Sequence, residues 1–260
     1  MVIAKKKAGK KKTSKKKASK KKTAPNRPLS LSVLNIDTRS ACSDSSSLIL
    51  RHAYESADAL LKAYNLARLQ RGGRRGMTTD QEQDLLRAML VMAAAGLDAM
   101  SKQLIRDALP DLLKRSGKAL NTFEKFIARR LGNDLDVSEK ASANKFLARV
   151  LSRPSPQVQL IEEYIQDLTR GSLQSTDALF QVAAALGIDP PKAGIEPNTL
   201  TPIFHTRNSI IHELDINLAA RRRNRHVRRQ TTMIRDTNFL LRLSAKILEL
   251  VDGVVSMKAP

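Results

Sequence analysis

The sequence is poorest in the residues that most often carry chemistry: one cysteine, no tryptophan, three tyrosines, six phenylalanines and four histidines in 260 residues. A lone Cys42 excludes an intrachain disulfide or a zinc–thiolate cluster and fits a reducing compartment. So few aromatics argue against a base-stacking platform, which leaves phosphates and a local site to recognise any nucleic acid. No apolar run approaches the roughly 20 residues that span a bilayer. The N-terminus has charge but no apolar segment behind it, so it is not a secretory signal. A cytoplasmic chain with no membrane contact is expected. There is no Gly-rich phosphate loop ending in Gly-Lys-Ser/Thr, no His-Glu-x-x-His and no Gly-x-Ser-x-Gly. His205 and His212, seven residues apart, stand about 10 Å apart along a helix axis, too far to share a metal. No metal and no cofactor are expected.

What the chain does have is positive charge, delivered locally. Lysine and arginine number 46 against 25 acidic residues, a net charge of +21. Residues 1–27 hold twelve lysines and Arg27 with no acid, and Arg221, Arg222, Arg223, Arg225, Arg228 and Arg229 add six more, so the remainder is nearly neutral. A polyanion is the natural partner for such an arrangement; solubility or an anionic membrane surface are the plainer uses. Residues 5–24 repeat with period five, each unit opened by a lysine triplet at Lys5, Lys10, Lys15 and Lys20. Lysine triplets between small residues bury nothing, which predicts a disordered arm able to contact phosphates. The same composition would serve as a nuclear address. Residues 23–44 continue as a Ser-, Pro- and Thr-rich linker, which places the domain boundary at 44/45.

From 45 to 256 the pattern is helical throughout. Leu50, Ala53, Ala57, Leu60, Tyr64 and Ala67 share one face until Gly72-Gly73. Thr79 and Glu82 form a capping box, and Leu86, Leu90, Ala93, Leu97, Met100 and Leu104 follow as the longest stripe, ending at Pro110. Shorter helices are predicted over 123–131, 138–151, from Ser155-Pro156 to Gly171, and around Leu179, Val182 and Leu186. A loop over 187–200 leads to a helix starting at Thr201-Pro202 with Ile203, Ile210, Ile211 and Leu214. The last helix carries Leu240, Leu243, Ile247, Val251 and Val254. No segment alternates as a strand would, so the class is all-α.

One constellation remains: Phe204-His205-Thr206-Arg207-Asn208-Ser209-Ile210-Ile211-His212-Glu213. Arg207-Asn208, three residues and then His212 resembles the Arg-x4-6-His motif of HEPN (higher eukaryotes and prokaryotes nucleotide-binding) domains, in the Arg-Asn form of their ribonuclease branch. The helix at 80–109 is similar to the family's earlier core helix, with Asp98 where an acidic residue often stands. The resemblance covers 45–256, with 111–198 matching only as generic helix; the lysine arm and the arginine cluster are not family hallmarks. It implies a helical bundle with additional short helices, a homodimer, and metal-independent endoribonuclease activity on RNA. The setting it implies is a toxin or antiviral defence effector in a prokaryotic cytoplasm, with an antitoxin or regulatory partner conceivable. The alternative is a nucleic-acid-binding or scaffold protein without catalysis. Arg221 and His226 repeat the bare spacing, but without the Ile-Ile pair or a helical start.

The residue types suit the chemistry. RNA is cut without a metal when its 2′-OH attacks the adjacent phosphate. A histidine titrating near neutrality can move the protons, and an arginine can hold phosphate oxygens in a fork. Five residues turn a helix by about 500°, so Arg207 and His212 point about 140° apart; the pair closes into a pocket only across two copies. Asn208, one turn before His212, can steady the imidazole or a phosphate. Asp98 reads more naturally as a surface or polar core residue. The cluster at 221–229 either guides a strand to the site or is a solvated loop. Arg71-Gly72-Gly73-Arg74-Arg75-Gly76 resembles an RNA-contacting RGG segment but reads more simply as a helix-ending loop.

Overall fold

The computed structural model describes residues 29–38, 40–72, 77–131 and 137–256, with the backbone alone for 137–143. The lysine arm and residues 73–76 of the RGG-like segment lie outside the described residues. A single 3-10 turn, Ala41–Ser43, is followed by α1 (Asp44–Gln70), α2 (Asp80–Arg115), α3 (Gly117–Leu131), α4 (Val137–Leu151), α5 (Pro156–Thr169), α6 (Thr176–Ala185), α7 (Pro190–Ala193), α8 (Pro197–Glu213) and α9 (Gln230–Ser256). The chain is all-α among the described residues; its one β-type feature is an isolated antiparallel bridge between Ile216 and Arg225.

Helix α2 is the axis of the fold, packed chiefly between α1 and α9. Its predicted stripe is fully buried, and so are Met89, Ala94, Ile105, Ala108, Leu109 and Leu112 on other faces. A helix apolar nearly all round belongs in the middle of a bundle. That explains why part of α2 is apolar enough by composition to cross a bilayer, with a mean hydropathy of 1.3: the apolar surface is spent on its neighbours. Gly96 lets α1 approach closely, because a Cβ there would collide with Cβ of Ala53. The capping box forms as the sequence predicts, Thr79 Oγ1 accepting from Glu82 N–H and Glu82 from Thr79 N–H.

Several boundaries differ from expectation. Helix α3 begins at Gly117, not Phe123. Helix α2 continues through Pro110 to Arg115, since Leu112 and Leu113 extend the buried face and the proline costs it one backbone hydrogen bond. Helix α8 starts at Pro197, not Thr201-Pro202, with Glu196 at the N-cap and Pro202 inside the helix; the short α7 also lies in the expected loop. The linker is partly built in. Residues 29–38 run extended over α9, with Leu31 buried, Ser32 N–H donating to Asn238 Oδ1 at 2.8 Å and Ser40 N–H donating to Asp252 Oδ1 at 3.0 Å. Asn65 Nδ2 donates to the Leu29 carbonyl at 2.7 Å. Packing against the bundle therefore includes Leu29 and Leu31, ahead of the expected start at Ser45.

Candidate functional site

Helix α8 lies against α2 with Leu200, Ile203, Phe204 and Ser209 buried. His205, Asn208, Ile211 and His212 face outward and are exposed. Arg207 sits at the edge, half-buried. Its Nη1 donates to Asn208 Oδ1 at 2.9 Å, while its Nε is buried with no hydrogen-bond partner among the described residues. Burial draws the Arg207 pKa below its ordinary value, and the charge of Asp98 acts in the opposite direction. Asp98 is itself committed: Oδ1 accepts from Leu173 N–H at 2.6 Å and Oδ2 pairs with Lys102 Nζ at 2.9 Å. Asp98 thus ties the α5–α6 connection to α2 and lends Arg207 only its field. Arg207 itself is a half-desolvated cation with no ion-pair partner among the described residues, and His212 is open to solvent one turn beyond Asn208.

After Glu213 the chain turns sharply. Leu214 (φ 51°) and Asp215 (φ 60°) are both left-handed, a region that costs a non-glycine residue on the order of 1–3 kcal/mol. Asp215 N–H closes the helix end on the Ser209 carbonyl at 2.9 Å. The offset is an ion cage. Asp215 is fully buried; Arg87 Nε donates to its Oδ2 at 2.8 Å, and Arg228 bonds both of its oxygens. Burial alone would raise the Asp215 pKa, but the hydrogen bonds and charges of Arg228 and Arg87 outweigh it and hold the carboxyl below its ordinary range. Arg87 Nη2 also donates to the His226 carbonyl at 2.7 Å. Gln83 pairs with both backbone groups of Arg228, at 3.0 and 2.8 Å. Asp84 binds Arg225 Nη2 at 2.7 Å, and Arg225 Nε donates to the Leu214 carbonyl at 3.1 Å.

The structure brings Arg207, Asn208 and His212 onto one helix and Asp98 within electrostatic range of Arg207. It divides the six arginines of 221–229. Arg225 and Arg228 are partly buried and paired, Arg228 with the buried Asp215 and Arg225 with the exposed Asp84, whereas Arg221, Arg222, Arg223 and Arg229 are exposed. The second Arg-x4-His match lies off any helix: Arg221 is in a turn, and His226 is fixed through its backbone, donating to the Asp215 carbonyl at 2.8 Å. Lys5, Lys10, Lys15 and Lys20 lie outside the described residues. Sequence reasoning missed Asp215, Arg87, Gln83 and Asp84. A usable signal existed in Arg87, a cation one position after Leu86 on the helix with the longest apolar stripe, and in Asp215, a lone carboxylate before six arginines. Among the described residues no three His, Cys, Asp or Glu side chains gather as a metal site would require. No protein-family model matches the chain, and no curated protein or solved structure matches it.

Proposed function

We propose that the chain is a metal-independent endoribonuclease of HEPN type, acting on RNA as a homodimer in the cytoplasm. The observation that carries this reading is Arg207: a half-buried guanidinium, committed to no carboxylate among the described residues, beside Asn208 and five residues before an exposed histidine. A buried cation without a counter-charge is costly, and a phosphate would supply the missing anion. In the reaction, a His212 imidazole takes the proton of the 2′-OH. The 2′ oxygen bonds to phosphorus, the bond from phosphorus to the 5′ oxygen breaks, and a protonated imidazole gives that oxygen its proton. Arg207 holds the crowded phosphate and Asn208 orients Arg207. The divergence of Arg207 and His212 by about 140° around the helix suits a site closed by a second copy, and exposed Ile211 and Leu214 beside His212 offer apolar surface for that contact. By the resemblance, a toxin or defence effector is the setting.

Purified protein incubated with labelled RNA in EDTA tests this. Cutting that leaves a 2′,3′-cyclic phosphate and a 5′-OH supports it, and cutting abolished by EDTA overturns it. One observation favours a second reading, a binding or scaffold protein: no hydrogen bond orients the His212 ring within the chain among the described residues. Binding without cutting in the same assay would decide for it.

A further inference from the structure

The loop between α8 and α9 carries six arginines and a single carboxylate, and such a segment should repel itself into an open coil. Instead it is closed. Asn217 N–H donates to the Asn224 carbonyl at 2.9 Å and His226 N–H to that of Asp215 at 2.8 Å, a short antiparallel pairing bridged at Ile216 and Arg225. At the tip Ala220 N–H bonds the Asn217 carbonyl and Arg223 N–H the Ala220 carbonyl, at 3.2 and 3.0 Å, with Arg223 left-handed at φ 46°. These consecutive turns set Arg221, Arg222 and Arg223 side by side in solvent. At the root, Asp215 holds Arg87 and Arg228, and Asp84 holds Arg225. The counter-charge is all at the root; Arg221, Arg222, Arg223 and Arg229 form no ion pair among the described residues.

The end of the loop also stands close to Leu29. Leu29 is fastened to Asn65, and the neighbouring Tyr64 donates its hydroxyl to Gln230, the first residue of α9 after the loop. In the sequence, the last lysine of the lysine-rich stretch, Lys22, precedes Leu29 by seven residues.

We infer that residues 214–229 form a preorganised finger for the phosphodiester backbone of a nucleic acid. Arg221, Arg222, Arg223 and Arg229 make the contacts, and Asp215 is the positioning residue. Arg225 and Arg228 hold the finger and touch no phosphate. This deepens the nucleic-acid side of the proposed function, and its test reads binding alone, so it stands or falls apart from cutting.

The probe is a fluorescent 2′-O-methyl RNA of about 20 nucleotides, which lacks the attacking hydroxyl, titrated with the full-length chain across a salt series. Replacing Arg221, Arg222, Arg223 and Arg229 together by Gln should weaken binding at least tenfold at moderate salt. It should also lower the salt slope by about two to four, because fewer counterions are released. The same slope in that variant and the parent overturns the assignment of contacts. Asp215→Asn separates preorganisation from bare charge. It adds one positive charge and frees Arg228, so Coulomb attraction alone would tighten binding; loss of the finger's geometry should weaken it about fivefold. Equal or tighter binding with helix content intact overturns the proposal. If Asp215→Asn does not fold, Asp84→Asn asks the same question more gently, releasing Arg225 and one bond of Arg87 while Asp215 keeps its hold on Arg87 and Arg228: a two- to threefold weakening supports the finger, and tightening overturns it. Polyglutamate competing as well as RNA of equal charge would point to an acidic protein partner and overturn the nucleic-acid assignment.

Discussion

Arg207–His212 and Arg221–His226 have the same spacing, lie within 20 residues of each other and end in opposite conditions. In the first, the chain is a helix, the histidine ring is exposed and the arginine meets only its neighbour Asn208. In the second, the chain is a hairpin, the arginine points into solvent at a turn and the histidine is clamped through both backbone groups, by Asp215 and Arg87. What separates them is where the carboxylates are. Asp215 and Asp84 are spent on Arg87, Arg225 and Arg228, and Asp98 on Lys102 and a backbone N–H. Arg207 is left as a positive charge that the fold half-desolvates without neutralising. A motif's spacing says which groups can meet; the inventory of nearby counter-charges says which of them remain available to a ligand.

The sharpest way to break that comparison is catalytic. Arg207→Ala and His212→Ala should each lower RNA cutting by about 10²–10⁴-fold, with helix content and RNA binding retained, while His226→Ala should leave the rate within about twofold. Activity lost with His226 and kept with His212 would reverse the assignment. Stability should show the mirror image. Arg87→Ala or Asp215→Ala breaks a buried pair and should cost about 3–5 kcal/mol in urea unfolding, whereas Arg207→Ala should move stability by under about 1 kcal/mol. Equal losses at the two sites would mean that Arg207 is a structural cation after all.

Acid should then distinguish the loop from the helix. Asp84 is held below the ordinary carboxyl range first by its hydrogen bond from Arg225, and Asp215 by arginine contacts that outweigh its burial. A depressed folded-state pKa contributes stability that is fully present above the unfolded value of about 3.9 and is lost as pH falls through the folded value. Stability below about pH 4 should therefore decline less steeply in Asp215→Asn than in the parent; parallel curves would deny the cage its role. The smallest effect concerns residues 1–27. Their deletion should flatten the salt dependence of binding to RNA and DNA alike without changing helix content, and an unchanged slope would assign the lysines another task.

Much of the bundle was legible because it rests on local rules. The α2 stripe, the Thr79–Glu82 box and the Ser155-Pro156 start all follow from residues within a few positions of each other. Boundaries decided by tertiary burial were less so: Pro110 and Pro202 read as punctuation, yet both lie inside helices. The extended segment was misjudged as linker, although Leu29-Ser30-Leu31-Ser32-Val33 alternates apolar and polar residues as a packed extended chain does. At the candidate site the motif was visible but its counter-charges were not. Arg87 and Asp215 lie 128 residues apart, and nothing in Arg228-Arg229 says which of two adjacent arginines turns inward.

The segment over α9 also has a consequence for the order in which the molecule is made. Ser32 and Ser40 find their partners 206 and 212 residues further along the chain. At the usual 5–20 residues per second of synthesis, those partners leave the ribosome roughly 10–40 s later. For that interval α1 and α2 can pair, being adjacent in sequence, while the Ser32 and Ser40 amides wait for Asn238 and Asp252. The segment from Ser32 to Ser40, made before any of the helices, is thus among the last to be seated, and α9 acts as the closing piece that seats it.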